Sequence, residues 1–127
     1  MGGSNGNRER RRHPRTIMDL PVEYRIPNIP RAHGALTINL SEAGLLIQSV
    51  SNLSVGTMLN LVVIFHRGFE LKDLKVSAEI VWKGICWKEQ WEGFEYGLRF
   101  TEVKQEELRE LYRLLGRRSD GKEGRRN

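Results

Sequence analysis

The stretch LTINLSEAGLLIQ, residues 36–48, contains two predicted strands and the turn that joins them. Its first half alternates in the manner of a half-buried strand. The alternation assigns two faces: Leu36, Ile38 and Leu40 toward the core, and Ala35, Thr37 and Asn39 on the other side. Residues 41–44 have turn chemistry, and Gly44 begins an apolar run that predicts the next strand. We therefore expect a β-hairpin here.

The rest of the chain repeats this pattern. Further strands are predicted at residues 22–26, 58–65, 75–82 and 94–100, with residues 87–93 as a polar hairpin connection. In the strand at 75–82 the predicted core face is Val76, Ala78, Ile80 and Trp82. About six regularly spaced strands predict a mainly β protein, a six-stranded antiparallel β-barrel. Closing the sheet would remove its edges.

Only the C-terminal part has helical periodicity. Four side chains recur at helical spacing: Leu108, Leu111, Tyr112 and Leu115. They predict one C-terminal α-helix over residues 101–116, capped by Thr101 and ended by Gly116. We expect this helix to lie across the barrel or to close one mouth.

The 127 residues suffice for one compact domain, predicted at residues 8–116. Residues 1–7 and 117–127 are so rich in Gly, Ser, Asn and charge that they cannot bury enough apolar surface to offset their ordering entropy. We therefore predict a disordered leader, a disordered basic tail, and a flexible arginine arm at residues 8–15.

The formal charge of +5 favours an anionic partner. Cys86 is the only cysteine, so no intramolecular disulfide can form, and no apolar run approaches the roughly 20 residues of a membrane span. We expect a cytoplasmic protein without membrane insertion. The histidines are scattered and the acidic residues form no pair with a nucleophile, so we expect no metal, no cofactor and no enzymatic activity.

Two polar segments are candidates for an anion site. Pro14 keeps the arm extended, which lets Arg11 and Arg15 reach the same object. Asn39 and Ser41 project from one face of their strand. Gly44 permits a positive φ and leaves backbone amides exposed. Each segment also has a simpler interpretation, a solvated basic tail for the first and ordinary β-turn chemistry for the second.

Taken together, the pattern Arg-x-x-x-Arg (residues 11–15) followed by Asn-x-Ser-x-x-Gly (residues 39–44) resembles the paired signature of PilZ domains. The apolar run after Gly44 and the segment YGLRF at residues 96–100 also resemble the family. The resemblance covers residues 8–115. It implies a six-stranded barrel of the PilZ-like, split-barrel type with one helix, acting as a bacterial, non-enzymatic receptor for the second messenger cyclic di-GMP.

The resemblance also implies roles for individual residues. Arg11 and Arg15 would bind the phosphates or guanines of cyclic di-GMP, since the guanidinium fork matches both. Asn39 and Ser41 would contact guanine and neighbouring polar groups, and Gly44 would leave room for the ligand. Arg10, just before the first motif arginine, favours an intercalated ligand dimer. Ordering of the arm would then be recognised by an unidentified downstream protein.

Two alternatives stay open. A small basic barrel with aromatic side chains can bind single-stranded nucleic acid by stacking, although aromatics at strand spacing are more often core. The aromatics concerned are Trp82, Trp87, Trp91, Phe94 and Tyr96. The other alternative is a PilZ-like interaction module that binds no nucleotide. Nucleic acid is not the expected partner.

Overall fold

The computed structural model describes residues 16–88 and 91–116, with only the backbone given for residues 16–18 and for Lys88. Its elements are β1 (Thr16–Arg25), β2 (Ala32–Leu40), β3 (Gly44–Ser49), β4 (Met58–Arg67), β5 (Glu70–Lys88), β6 (Trp91–Glu102) and α1 (Gln105–Leu114). All six predicted strands are present, most of them longer than the sequence pattern indicated. No helix in the described part of the chain is long and apolar enough to cross a membrane.

The strands close into a barrel in the order β1-β2-β3-β6-β5-β4, and every neighbouring pair is antiparallel. The predicted mainly β fold is therefore confirmed. Inward-facing side chains from all six strands form a single core, whose largest members include Tyr24, Ile47, Ile80 and Tyr96. Several strands extend past their neighbours, since β1 pairs with β4 only over residues 22–25 and β5 continues past the end of β4.

A β-bulge at Ile38 changes the predicted faces of β2. The register passes from Thr37 opposite Ile47 directly to Asn39 opposite Leu46, so Ile38 is an extra residue. Thr37 is consequently buried and Leu36 is exposed, which reverses the prediction for both. Beyond the bulge the prediction is confirmed for Leu40, which lies in the core. Strict alternation cannot foresee a bulge, because one inserted residue exchanges the two faces.

A second bulge, at Val81, changes the predicted face of Trp82. Ile80 pairs with Leu98, and Trp82 pairs with the next residue, Gly97. Ile80 lies in the core as predicted, but Trp82 is turned outward and is half exposed. The predicted connection at 87–93 is also wrong, since β5 runs to Lys88 and β6 begins at Trp91. The sequence of this end, WKEQWEG, is mostly polar and does not alternate, so it gave no strand signal.

Helix α1 begins later than predicted. Thr101 belongs to β6 and is not the cap; the capping residue is Lys104, which makes no side-chain cap hydrogen bond. Gly116 follows the helix with a φ of 74°, as predicted for the residue that ends it. Leu111 is fully buried in the core, with Leu108 and Leu115 packed around it.

Polar contacts fix the helix against the hairpin of β4 and β5. The Glu107 carboxylate accepts a hydrogen bond of 2.9 Å from the backbone N–H of Lys75, and Glu110 pairs with Arg67. The hydrogen bond from Arg67 lowers the pKa of Glu110. The helix thus lies beside β5 near the part of that strand that β6 does not pair.

Candidate ligand-binding site

A surface cavity of about 460 Å³ lies where β2, β3, β5 and β6 meet. Its lining includes three of the predicted site residues, Asn39, Ser41 and Gly44. The opposite wall is formed by residues of β5 and β6: Val81, Trp82, Gly97, Leu98 and Arg99. The structure therefore brings the predicted turn into contact with two strands that are distant in sequence.

Ser41 holds the turn at the base of this cavity. Its backbone N–H donates to the Gly44 carbonyl at 2.9 Å. Its hydroxyl oxygen accepts hydrogen bonds from the backbone N–H groups of Ala43 and Gly44 and donates one to the Gly44 carbonyl. A hydroxyl has one donor and two acceptor positions, so all three are in use. These amides are therefore not the exposed donors that we predicted.

Gly44 is required by the close approach of β3 to β6. A Cβ atom at this position would lie 1.9 Å from the carbonyl oxygen of Leu98. Gly44 does not have the positive φ that we predicted, since the described glycines with positive φ are Gly56, Gly68 and Gly116. Hydrogen bonding fixes the same junction, because Phe100 N–H donates to the Ala43 carbonyl at 2.8 Å. Position 44 therefore requires glycine because β6 leaves no room for a side chain there.

The bulge at Ile38 gives Asn39 its direction. Without the inserted residue, Asn39 would share the inward face of Thr37. The Thr37 hydroxyl stabilises the irregular backbone by donating to the carbonyls of Leu46, at 2.9 Å, and Asn39, at 3.2 Å. As a result Asn39 lines the cavity while Leu40 beside it lies in the core.

Trp82 is a cavity residue that the sequence pattern assigned to the core. Its ring lies over two glycines, since a Cβ on Gly84 would be 2.7 Å from the ring and a Cβ on Gly97 would be 3.3 Å from the Trp82 Cβ. Trp82 is 49% exposed, so part of its side chain is accessible from the cavity. The sequence contained one signal for this position of Trp82, namely Gly84 on the same strand and Gly97 opposite Trp82 on β6. Glycines alone, however, do not specify a bulge.

Arg99 adds a cation to the rim of the cavity, but its charge is already paired. Its guanidinium donates to the Glu79 carboxylate at 2.5 Å, with more than half of the arginine side chain exposed. Exposed ion pairs of this kind contribute about 0–1 kcal/mol to stability. The cavity lining therefore combines polar residues of the turn, the Trp82 side chain, apolar side chains such as Leu46 and Val81, and one cation that is already paired.

The described chain begins beside the same cavity. Thr16 lies opposite Leu40 in the β1–β2 ladder, and Ile17 lies opposite Asn39. The predicted site residues Arg10, Arg11 and Arg15 lie outside the described residues, as do the predicted leader, arm and tail. Within residues 16–88 and 91–116 there is no group of three or more His, Cys, Asp or Glu side chains that could hold a metal ion.

A family comparison agrees with this arrangement, since the model of the PilZ domain matches residues 9–117. The chain belongs to the PilZ family. The family consists of non-enzymatic domains, so this chain is not an enzyme. No curated protein matches the chain in sequence.

Solved PilZ structures share the fold at low sequence identity. The PilZ domain of Escherichia coli YcgR with c-di-GMP has a TM-score of 0.70 at 14% identity, over 84% of this chain and 89% of that one. Bacillus subtilis MotI/DgrA, an inhibitor of motility, has a TM-score of 0.64 at 20% identity, over 85% of this chain and 53% of that one. MrkH, a c-di-GMP-dependent transcription regulatory factor, has a TM-score of 0.67 at 14% identity, over 83% of this chain and 49% of that one.

The chain thus spans about half the length of MotI/DgrA and of MrkH, and nearly all of the YcgR domain. At identities of 14–20%, the similarity to these solved structures shows a shared fold and nothing further. Of the six predicted site residues, the structure brings Asn39, Ser41 and Gly44 together on one cavity. Their predicted contacts with a ligand stay predictions.

Proposed function

We propose that this PilZ protein is a receptor for cyclic di-GMP, which binds in the cavity beside Asn39 and Ser41 and is enclosed by the arginine arm. The observation that carries the proposal is the register of β1 on β2. Because Thr16 lies opposite Leu40, the chain enters the barrel beside both Asn39 and Ser41. Family membership and a similar YcgR domain solved with c-di-GMP support the same ligand.

Chain length allows the motif arginines to reach the cavity. Consecutive Cα atoms are about 3.8 Å apart, so Arg15 starts one step from Thr16. Arg11 precedes Thr16 by five residues, and an extended segment of this length spans at most about 18 Å. With side chains added, both guanidinium groups can contact one ligand bound over the turn.

The chemistry of the cavity matches the parts of cyclic di-GMP. Its two phosphates require positive charge, and since Arg99 is paired with Glu79, that charge would come mainly from Arg11 and Arg15. The Asn39 amide can hydrogen bond a guanine edge. The exposed indole of Trp82 can stack on a guanine, an interaction that contributes about 1–3 kcal/mol per base.

Ser41 and Gly44 would act through the turn, by holding Asn39 and the backbone in place. Arg10 would add a further cation beside Arg11, and with it the site would accept an intercalated ligand dimer. Two stacked ligands carry four phosphates, so a third arginine supplies charge that a single ligand does not need.

As the mechanism, we propose that ligand binding orders residues 8–15 over the cavity. Ordering the arm costs conformational entropy, and the ligand phosphates offset that cost only in the closed state, as a switch requires. A downstream protein would recognise the surface so formed. Amide exchange of residues 8–15, measured with and without cyclic di-GMP, tests this step, and equal exchange rates in the two samples would contradict it.

Calorimetric titration of cyclic di-GMP tests the receptor function. We expect saturable binding, with one or two ligands per chain, and a large loss of affinity in Arg15→Ala. Removing one charge-assisted contact costs about 1.5–3 kcal/mol, roughly tenfold to more than a hundredfold in Kd. Arg31→Ala is the matched control, because Arg31 is an exposed arginine in the loop between β1 and β2 and its loss should leave Kd unchanged.

Three results would contradict the proposal. Absence of cyclic di-GMP binding in the unaltered protein would leave a PilZ-fold interaction module. Binding of oligonucleotides with an affinity that rises with their length and falls steeply with salt would instead indicate a single-strand binding protein. An equal loss in Arg15→Ala and Arg31→Ala would show that net charge, and not the arm, determines affinity.

A further inference from the structure

Strand β5 extends beyond the strand that pairs with its outer edge. The ladder with β4 ends at Met58 opposite Glu79, and Ile80 exchanges backbone hydrogen bonds with Gly56 and Thr57 at 2.7 and 2.9 Å. From Trp82 to Lys88 the strand pairs with β6 on one side. On the other side, no residue of the described chain pairs with it. Within the described chain, residues 82–88 therefore form a strand edge without a pairing partner.

Two large apolar side chains on this edge are exposed. Ile85 is 67% exposed and Trp87 is 72% exposed. Natural edge strands are usually protected by charges, proline or cover from a loop. Lys83 does not serve that purpose, because its ammonium hydrogen bonds to Asn52 and lies 4.8 Å from the centre of the Phe94 ring. A two-stranded ribbon with apolar exposed side chains is suited to association.

We propose that two copies of this chain pair through the free edge, antiparallel and about a two-fold axis at Ile85. Antiparallel pairing about this axis places Ile85 against Ile85 of the second copy. It also places Lys83 of each copy opposite Trp87 of the other, and Gly84 opposite Cys86. A contact with two-fold symmetry must be self-complementary, and this register meets that condition.

Side-chain chemistry favours this register. Lys83, Ile85 and Trp87 alternate along the strand and so project from one face. In the dimer, each Lys83 would lie opposite Trp87 and not opposite a second lysine. Its ammonium, which lies over the Phe94 ring in the single chain, would turn toward the indole, because a cation is attracted to an aromatic face. On the opposite face Cys86 of one copy lies opposite Gly84 of the other, where it would pack against the Trp82 ring that covers this glycine.

The size of the contact predicts a weak dimer. Burying an aromatic side chain removes about 150–250 Å² from water. Two copies each of Trp87 and Ile85 with one strand pair therefore fall short of the roughly 1,200 Å² typical of stable complexes. We expect an equilibrium that shifts to monomer on dilution. The proposed dimer does not require cyclic di-GMP, so an experiment that finds no dimer would leave the proposed receptor function untouched.

Sedimentation of the full chain over a wide concentration range, without nucleotide, tests the pairing. The apparent mass should rise from 14.7 kDa toward twice that value. Trp87→Lys should lower the association constant by about tenfold or more, since it puts lysine opposite Lys83. Trp87→Glu should lose less, because it removes the same apolar area but its carboxylate can pair with Lys83. Both substitutions are at an exposed position, and circular dichroism checks the fold.

Phe69→Lys is the matched control. Phe69 is fully exposed in the turn between β4 and β5, away from the free edge, so its replacement should not change the association constant. A monomer at every concentration would overturn the proposal. So would equal losses in Trp87→Lys and Trp87→Glu, or a loss of the same size in Phe69→Lys.

Discussion

At the scale of single residues, the PilZ signature of this chain has two kinds of members. Ser41 and Gly44 serve the turn itself, one through three hydroxyl hydrogen bonds and the other through its lack of a side chain. Asn39 lines the cavity, and the arginines precede the barrel in sequence. A chain that retained the turn and lost the arginines would therefore keep the fold without the proposed phosphate contacts.

The account predicts that Gly44→Ala destabilises the barrel. The new methyl group would lie 1.9 Å from the Leu98 carbonyl oxygen, so β3 and β6 must separate. Overpacking of this kind costs about 1–3 kcal/mol, and a collision with backbone belongs at the upper end. Urea denaturation of the original protein and of Gly44→Ala measures this loss as the difference between their free energies of unfolding.

Gly34→Ala is the control for this substitution. Gly34 lies in β2, and a Cβ there would have no heavy atom within 4 Å. Its replacement should leave stability unchanged or raise it by about 0.4–1 kcal/mol through the unfolded state. If Gly44→Ala were as stable as Gly34→Ala, then close approach would not explain the glycine.

At the scale of elements, Tyr96 of β6 holds the loop between β3 and β4. Its phenol oxygen accepts a hydrogen bond from the Leu53 N–H at 2.7 Å and donates one to the Ser51 carbonyl at 2.6 Å. Burial raises the pKa of this phenol above its ordinary value of 10.0, although the Leu53 hydrogen bond opposes the shift. The neutral phenol is thus the form that the fold requires.

This arrangement predicts the effect of Tyr96→Phe and its pH dependence. The substitution leaves two backbone groups unpaired and should cost about 1–3 kcal/mol at neutral pH. The folded protein holds the phenol proton more tightly than the unfolded chain. The contribution of Tyr96 is therefore intact below the ordinary pKa of 10.0 and is lost as the pH rises through the folded pKa.

Urea denaturation of both proteins from neutral to alkaline pH measures this effect. The difference in unfolding free energy between the original protein and Tyr96→Phe should shrink on the alkaline side. A difference that stayed constant, or grew, would show that the phenol proton is not held more tightly in the folded state.

At the scale of the whole molecule, periodicity was sufficient for the architecture. Alternation predicted the core face of β6, because no residue of this strand is inserted between Phe94 and Phe100. Apolar runs predicted β3 and β4. The two bulges were not predictable, since Thr37 and Trp82 each continue an unbroken alternation in the sequence. What decides their direction is pairing with β3 and β6, strands reached only through tertiary contacts.

The bulges also explain which part of the site was missed. Asn39, Ser41 and Gly44 were identified by a motif that resembles the PilZ signature, and the structure assembles them on one cavity. Trp82 was assigned to the core because it follows Ile80 by two residues, and only the extra residue at Val81 turns it to the cavity. Bulges near functional sites commonly redirect a side chain in this way.

The most direct test of the central claim is an NMR titration of the ¹⁵N-labelled protein with cyclic di-GMP. The three tryptophan indoles serve as position markers, since Trp82 lines the cavity whereas Trp87 and Trp91 lie elsewhere on the hairpin. The account predicts that signals of the Trp82 indole and of the Asn39 and Gly44 amides shift together and saturate. Shifts confined to Trp87 and Trp91, or none at all, would contradict it.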